Sequence, residues 1–354
     1  MDPQQMASPR TTHPPHSQRR CAVIAGIGSW LPLEVVTNDD LARTLDTTDE
    51  WIRTRTGIEQ RHRAADGEST SDLAVQAAGR ALESSGSDEV DALILATTTP
   101  DFLCPATAPE VAARLGLAGI AAFDVQAVCT GFIYALSAAC GLIAAGTADR
   151  VLVIGSDVYS TILNPRDRAT AVIFGDGAGA VVLRGGRSDE AGAVGPIVPG
   201  SDGNFRHLIA IPGGGARQRS LQMCRQPGDE YFSMSGSEVF RHAVQRMTEV
   251  SRRAMAAAGW ENADVDRFAA HQANSRILDS VLDQLGLPSD RRLSNIAHVG
   301  NTSAASIPLL LDQCVADGRL KPGHKVLLAA FGGGLTWGAT TVTWPDIAAT
   351  AGPQ

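Results

Sequence analysis

Hydrophobic and polar positions alternate along this chain in two ways. Short runs rich in Val, Ile, Leu and Ala, bounded by Gly or Asp, predict strands. Ala- and Leu-rich segments between these runs predict helices. The predicted strands read CAVIAGIG, VDALILATT, AAFDV, RVLVIGSDV and AVIFGDGAGAVVL in the first half, and DRFAAHQ, KVLLAAFGGG and ATTVTW in the second. Strands that alternate with helices indicate a layered α/β protein.

This pattern also repeats. Residues 81–97 resemble residues 254–271, and the segment after Cys129 resembles the segment after Asn301 with nearly the same offset. A shared offset over several helix–strand units indicates a duplicated α/β half. We therefore expect Cys129 and Asn301 to occupy matching places, each at the start of a buried helix, with the two helix N-termini facing one cleft.

Composition narrows the classes of function. The 354 residues are 44% hydrophobic and 19% charged, which is ordinary for a soluble globular enzyme. The net charge of −8 argues against a nucleic-acid-binding protein. All basic residues other than Lys321 and Lys325 are arginines, which suit local phosphate sites. No apolar run reaches the roughly 18 residues that a membrane span needs, so no membrane association is expected.

The composition of the first 20 residues and the spacing of the cysteines predict the cellular compartment of the protein. The first 20 residues are rich in Pro, Gln, Ser and His, which predicts a disordered tail and no secretory signal. The six cysteines lack paired or CxxC spacing, so we expect reduced thiols in the cytoplasm and no disulfide framework or zinc site. The predicted units are a tail at 1–20, halves at 21–190 and 191–346, and a C-terminal tail at 347–354.

Cys129 is the candidate nucleophile. It follows the predicted strand AAFDV and precedes a predicted helix from about Gly131 to Ala145. A thiol at a helix N-terminus meets unpaired N–H groups and the positive end of the helix dipole, which lower the thiol pKa. The dipole supplies about 0.3–2 kcal/mol, so this activation is incomplete. Cys140, three turns deeper, is expected to serve packing, and core packing is also the alternative for Cys129 read alone.

Three further motifs carry polar groups. His271 ends an apolar strand in FAAHQAN, where sites of α/β proteins lie, and His298 is its competitor. Asn301 precedes an Ala-rich helix in GNTSAAS, where a helix cap is the plain alternative. The glycines of FGGGLTWG let N–H groups approach a reacting carbonyl, unless they form only a tight turn. GDGAGA leads into a strand, so nucleotide binding is rejected there. Together, Cys, His, Asn and a glycine loop fit thioester chemistry.

From about Cys21 to Pro345, the chain resembles β-ketoacyl-acyl-carrier-protein synthase III, a condensing enzyme of the thiolase superfamily. The resemblance is carried by TNDDLARTLDTTDEWIRTRTGIEQRH, CTGFIYALS, IFGDGAGA, HQANSRI, GNTSAASIP and FGGGLTWG. It implies a thiolase-like α/β fold of two duplicated halves, arranged in five αβαβα layers. It also implies a homodimer.

The resemblance further implies roles for individual residues. Cys129 matches the acylated nucleophile, and His271 and Asn301 match the other two catalytic positions. Phe331 matches an aromatic beside the decarboxylation site, and the N–H groups of Cys129 and Gly333 match the oxyanion hole. The positions that hold coenzyme A or face the carrier arm are matched by Trp51, Arg55, Arg168, Asn274 and Arg276.

The implied reaction is a decarboxylative condensation. Cys129 takes an acyl group from acyl-CoA, and malonyl-acyl-carrier protein then loses carbon dioxide and attacks the acyl-cysteine. No metal or redox cofactor is needed. Cys104, in FLCPATAP, stands where the family often has a bulkier residue that reaches the partner subunit's acyl pocket. A smaller side chain there leaves room for a longer or branched starter.

Two alternatives stay open. An acyltransferase of the same fold passes the acyl group to an amine or alcohol without decarboxylation. A non-catalytic partner subunit is expected to lack the nucleophile, which this chain has. A degradative thiolase usually has a second cysteine in the glycine loop, and FGGGLTWG has none. The starter group, and the choice between fatty-acid and polyketide synthesis, are not determined by the sequence.

Overall fold

The computed structural model describes residues 20–220 and 226–349. Most of the predicted tail at 1–20, and the predicted C-terminal tail from residue 350 on, lie outside the described residues. The strands are β1 (Cys21–Trp30), β2 (Glu34–Thr37), β3 (Gln60–Arg63), β4 (Ala92–Ala96), β5 (Ala121–Val125), β6 (Arg150–Asp157), β7 (Gly177–Gly186), β8 (Val198–Ser201), β9 (Ile209–Ala210), β10 (Ser233–Met234), β11 (Arg267–Ala270), β12 (Lys325–Gly332) and β13 (Thr336–Thr343).

Helices alternate with these strands, as the sequence predicts. They are α1 (Asn38–Ala42), α2 (Asp49–Thr56), α3 (Thr70–Ser85), α4 (Ala108–Arg114), α5 (Gly131–Ala144), α6 (Ala216–Ser220), α7 (Gly236–Ala258), α8 (Ser275–Leu285), α9 (Ile296–Val299) and α10 (Ser306–Ala316). Over the described part of the chain, none of these helices combines the length and the apolar character that crossing a bilayer requires.

The two main sheets have the same topology. The first has the order β1-β7-β6-β4-β5 and the second has the order β11-β12-β13-β8. In both, a parallel pair (β4 with β6, β11 with β12) is followed by two antiparallel pairs. The counterpart of β5 is reduced to one parallel bridge between Phe268 and Arg292. This correspondence confirms the predicted duplication.

The buried side chains arrange these elements in five layers. Helices α5 and α10 lie between the sheets, in a core shared with the inner faces of both. Helices α3 and α4 cover the outer face of the first sheet, and α7 and α8 cover that of the second. In β4, Ile94 faces the central core whereas Leu93 and Leu95 face the outer helices. Burial on both faces explains the continuous apolar runs in the sequence and confirms the αβαβα fold.

Each central helix follows a single 3₁₀ turn. Val128–Thr130 precedes α5, and Ser303–Ala305 precedes α10. The first residues of the two turns have positive φ angles of 48° and 51°, which is uncommon for residues other than glycine. The shared backbone conformation shows that the two turns are equivalent.

This equivalence corrects the predicted match between Cys129 and Asn301. Cys129 is the middle residue of its turn, so its counterpart is Ala304, and Asn301 lies before the second turn begins. The reason is that α5 has 14 residues and α10 has 11. An offset that aligns the ends of the two helices therefore fails at their beginnings.

One predicted strand begins later than expected. In AVIFGDGAGAVVL, the first three residues form a turn, Phe174 makes an isolated parallel bridge with Asn301, and β7 starts only at Gly177. The Asp176 side chain accepts hydrogen bonds from the N–H groups of Ala64 and Ser160, which ties this segment to two others before the strand begins. Gly175 N–H donates to the Asn301 carbonyl at 3.0 Å. This segment therefore supports a candidate site residue of the other half.

Candidate active site

Cys129 lies in the 3₁₀ turn directly before α5, as predicted, and is 9% exposed. The expectation of a lowered thiol pKa is wrong. Burial raises the pKa of Cys129 to about 12, the charge of Asp157 adds to this rise, and the Ser303 hydroxyl opposes it. The physical reason is that loss of hydration disfavours the thiolate more than the start of α5 favours it. The resting thiol is therefore protonated.

A protonated resting thiol predicts a steep pH dependence of alkylation. Because only the thiolate reacts, the rate of Cys129 alkylation by iodoacetamide should rise about tenfold per pH unit between pH 7 and pH 10. Peptide mapping by mass spectrometry separates this reaction from that of the exposed Cys104. A rate plateau near pH 7 would show instead that Cys129 rests as a thiolate.

His271 follows β11 and is 1% exposed. Its Nδ1 lies 2.7 Å from Ser306 Oγ, and Gln272 N–H donates to the same oxygen at 3.3 Å. Burial lowers the pKa of His271 to about 3, so the imidazole is neutral. The competitor His298 is exposed on α9 and is not part of this cluster.

Asn301 is buried, and both its backbone and its side chain form hydrogen bonds. Its N–H donates to the Ile173 carbonyl at 2.9 Å, and its Oδ1 accepts from Ser303 N–H at 2.9 Å. The cap predicted as the plain alternative is not formed: the N-cap residues of the Ser303–Ala305 turn and of α10 are Thr302 and Ala305, neither with a side-chain cap hydrogen bond, and the Asn301 side chain instead closes a local turn with Ser303 N–H. This hydrogen bond uses Oδ1 and leaves Nδ2 as the polar group that can meet a substrate.

Ser303 contacts all three candidate catalytic residues. Its N–H binds Asn301 Oδ1, its carbonyl faces His271, and its hydroxyl faces the Cys129 thiol. The Ser303 hydroxyl lowers the pKa of Cys129. Its oxygen nevertheless forms no hydrogen bond of normal distance and angle within the described residues. Sequence reasoning missed Ser303, although it stands in the quoted motif GNTSAAS. The structure thus joins Cys129, His271 and Asn301 through one residue.

The glycine loop lies against the turn of Cys129. A methyl group added to Gly332 would lie 2.8 Å from Cys129 N, and one added to Gly333 would lie 3.2 Å from a Val128 methyl. The first distance is shorter than real contacts allow, so the close approach requires glycine at that position. Phe331, also buried, is the next-to-last residue of β12, which ends at Gly332. The oxyanion hole at Cys129 and Gly333 stays a prediction.

A cavity of about 520 Å³ leads to Asn301. It brings together most of the residues that the resemblance assigns to coenzyme A: Trp51, Arg55, Asn274 and Arg276. Neither Cys129 nor His271 lines it; both are buried, and Ser303 connects them to Asn301. The cavity therefore reaches one of the three candidate catalytic residues, Asn301.

Arg168 does not line the cavity but contacts its aromatic wall. Its guanidinium lies 5.1 Å from the Trp51 ring centroid, and that of Arg55 lies 5.3 Å from the same centroid. Asn274 Nδ2 donates to the Arg55 carbonyl at 3.0 Å, which joins α2 to the start of α8. Cations at the mouth of an otherwise apolar cavity suit a ligand that carries phosphates.

Cys104 does not line this cavity. It is exposed in the loop before α4, beside Phe102 and Leu103, whose side chains are also exposed. This chain does not bring Cys104 to its own cavity. A place in the acyl pocket of a partner subunit stays a prediction.

Comparison with known proteins agrees with this geometry. Family models of 3-oxoacyl-[acyl-carrier-protein] synthase III match residues 123–203, and those of its C-terminal part match residues 255–344. The chain is 58% identical over 327 residues to β-ketoacyl-[acyl-carrier-protein] synthase III 5 of Streptomyces coelicolor, covering 92% of this chain and 98% of that protein. The chain belongs to the β-ketoacyl-acyl-carrier-protein synthase III family. It is an acyl-transferring condensing enzyme.

Solved structures of this family have the same fold. The 3-oxoacyl-(acyl carrier protein) synthase III of Pseudomonas aeruginosa PAO1 superposes with a TM-score of 0.87 at 49% identity, covering 92% of this chain and 99% of that one. The priming β-ketosynthase of the R1128 polyketide biosynthetic pathway gives a TM-score of 0.86 at 34% identity, with 93% and 98% coverage. The chain is thus similar both to a general synthase III and to a polyketide-priming enzyme.

Proposed function

We propose that the protein condenses a short acyl-CoA with malonyl-acyl-carrier protein, with loss of carbon dioxide, to give a β-ketoacyl-carrier protein. This step initiates fatty-acid or polyketide synthesis. The observation that carries the proposal is the contact of Ser303 with Cys129, His271 and Asn301, next to a cavity that Asn301, Arg55 and Arg276 line. The same cluster argues against a non-catalytic partner subunit.

The first half-reaction is acylation of Cys129. Its sulfur attacks the thioester carbonyl of acyl-CoA, and the N–H groups of Cys129 and Gly333 stabilise the tetrahedral oxyanion. The carbon–sulfur bond to coenzyme A then breaks. Because the resting thiol is protonated, its proton passes to the leaving coenzyme A sulfur. Acylation therefore neither takes up nor releases a proton.

In the second half-reaction, the malonyl thioester loses carbon dioxide and forms an enolate. Ser306 Oγ accepts from Gln272 N–H, so its own hydrogen can point to His271 Nδ1 and leave the ring hydrogen on Nε2. Nε2–H and Asn301 Nδ2–H then donate to the enolate oxygen. The enolate carbon attacks the acyl-cysteine, and Cys129 leaves and takes one proton from water. No metal or redox cofactor is required.

The cavity is proposed to hold the coenzyme A portion of the starter. The guanidiniums of Arg55, Arg168 and Arg276 meet its phosphates, and Trp51 stacks on the adenine. Their charge also suits an acidic carrier protein that delivers the malonyl group through the same mouth. These substrates are cytoplasmic molecules, so the proposal implies a cytoplasmic enzyme.

Arg276→Ala is expected to raise KM for acyl-CoA about tenfold or more and to leave kcat within about twofold. One charge-assisted hydrogen bond to phosphate contributes about 1.5–3 kcal/mol, and the residue stands at the mouth of the cavity, apart from the buried reacting groups. Steady-state kinetics with varied acyl-CoA measure both constants. Arg253→Ala, an exposed arginine on α7, is the matched control. Equal KM values for the two variants would contradict this placement of coenzyme A.

The homodimer is also a proposal. Strand β5 is one of the two edge strands of its sheet, and its Phe123 side chain is partly exposed. Leu103, in the same half, is 78% exposed. Unpaired strand edges and exposed apolar side chains are what a second copy would cover. Cys104 would then reach the partner's acyl pocket, where a small side chain leaves room for a longer or branched starter.

The decisive experiment uses intact-mass spectrometry. The protein is incubated with a panel of acyl-CoA compounds and then with malonyl-acyl-carrier protein, and release of carbon dioxide is measured in parallel. We expect one acyl adduct on Cys129 that disappears with release of carbon dioxide. Without any adduct, the proposed function fails. An adduct that moves to an amine or alcohol without release of carbon dioxide would favour the acyltransferase alternative.

A further inference from the structure

Asp157 is a buried carboxyl group that the mechanism above does not use. It ends β6 and has no exposed surface. Its Oδ1 accepts from Thr98 N–H at 2.7 Å and lies 3.2 Å from Thr97 Oγ1. Its Oδ2 accepts from Ala304 N–H at 3.0 Å, across 147 positions of the chain. Asp157 therefore joins a loop of the first half to the 3₁₀ turn of the second.

The duplication gives this contact a counterpart at the nucleophile. Strands β6 and β12 both have eight residues and hold the same place in their sheets, so Asp157 corresponds to Gly332. Ala304 corresponds in the same way to Cys129, as shown by the two turns. In the first pair, a carboxylate binds the N–H at the centre of the turn. In the second, a glycine backbone approaches that N–H and places no side chain on it.

The N–H groups of Ala304 and Cys129 differ in the anion to which each can donate. Ala304 N–H already binds an anion in the resting protein. The equivalent Cys129 N–H has the same backbone geometry, and the proposed function assigns it a transient anion, the oxyanion of the reacting thioester. Asp157 thus fills, permanently, the place in one half that the substrate oxygen fills in the other.

We propose that Asp157 is a positioning residue for the condensation: its carboxylate, bound to Ala304 N–H, holds the turn that carries Ser303, and through it Asn301, in place beside Cys129. The inference rests on the proposed role of these residues in catalysis. A displacement of about 1 Å in groups that meet the reacting atoms can cost about 100-fold in rate. Asp157 touches none of those atoms itself.

The charge of Asp157 gives the inference a second consequence. Burial raises the pKa of Asp157 to about 6, so the group is ionised above that pH. Its charge is among the causes that raise the pKa of Cys129 and of the nearby Tyr159 hydroxyl. Removal of this charge should therefore lower the pKa of Cys129, which a purely structural role far from the thiol would not do.

The test compares Asp157→Asn with Asp312→Asn. Asp312 is also a buried carboxyl group and accepts from Ser29 Oγ at 2.6 Å, but it lies within α10. For Asp157→Asn we expect kcat to fall about 100-fold, with KM for acyl-CoA within about twofold. We also expect alkylation of its Cys129 by iodoacetamide at pH 8 to be about threefold faster or more. Asp312→Asn should change neither quantity. Asp157→Glu, which keeps the charge, should restore the slow alkylation.

A second variant covers the case in which Asp157→Asn does not fold. Thr97→Val keeps the carboxylate and removes one hydroxyl donor. It should lower kcat about threefold to tenfold and speed hydrogen exchange of the Ala304 amide. Unchanged kcat and unchanged exchange would overturn the inference, as would a folded Asp157→Asn with the kcat and alkylation rate of the control. Alkylation and exchange need no substrate, so they test the inference even if wild-type protein forms no acyl adduct and the proposed function fails.

Discussion

Cys129→Ala should abolish the acyl adduct and lower the condensation rate by about 10⁴-fold or more. The variant removes the only atom that the proposed mechanism acylates, and loss of a nucleophile typically costs at least this much. The glycine loop and the cavity remain, so binding of acyl-CoA should persist. Intact-mass spectrometry after incubation with acyl-CoA, together with an assay of β-ketoacyl product, measures the two effects.

The matched control for this variant is Cys140→Ala. Cys140 lies in the same helix, α5, and packs against the central core. Its thiol also has a pKa raised to about 12 by burial, so its chemistry alone does not distinguish it from Cys129. Cys140→Ala should keep both the adduct and the rate within about twofold, since cysteine there acts as a small hydrophobic residue. An adduct that survives in Cys129→Ala would place the nucleophile elsewhere.

His271→Ala and Asn301→Ala should each lower the condensation rate about 10²- to 10³-fold while the protein still becomes acylated. Loss of one donor to a developing oxyanion typically has an effect of this size. Acylation should be spared because the pKa of Cys129 is set first by burial and then by Ser303 and Asp157, and not by His271. Single-turnover experiments that follow adduct formation and product release separately give the two rates.

The pH dependence of the condensation rate gives a further test of the role of His271. The pKa of His271 is lowered from 6.5 to about 3, so the imidazole stays neutral at every pH above about 4. Titration of His271 should therefore cause no inflection in the condensation rate between pH 6 and 7. The pH profiles of wild-type protein and His271→Ala should have the same shape in this range. His298→Ala, at an exposed histidine, is the control and should match the wild-type protein. If His271→Ala blocked acylation as severely as condensation, His271 would be the base that activates the thiol.

Local patterns in the chain predict much of the fold. Apolar runs bounded by Gly and Asp mark most of the strands, because strands buried on both faces need continuous apolar sequence. The helix after Cys129 ends within one residue of its predicted end. In AVIFGDGAGAVVL the pattern extends the strand too far, because the carboxylate of the buried Asp176 binds the N–H groups of Ala64 and Ser160 and holds the chain there outside the sheet.

The sequence likewise predicts some residues of the candidate site and misses others. Cys129, His271 and Asn301 stand in motifs that mark strand ends and helix starts, and the resemblance to the family picks them out. Ser303 and Asp157 escaped notice, since nothing in their own segments shows that they meet across the two halves. Asp157 and Ala304 are 147 positions apart, and only the packing of β6 against the second turn brings them together.

The sequence by itself determined the duplicated α/β architecture and the identities of the candidate reacting groups, because periodicity and motif order are local properties of a chain. Only the tertiary structure decided that Cys129 matches Ala304, that the thiol and the imidazole both rest uncharged, and that Ser303 connects the site. The physical reason is that pKa values depend on hydration and on neighbouring charges. Both are set by residues that are distant in sequence and adjacent in the fold.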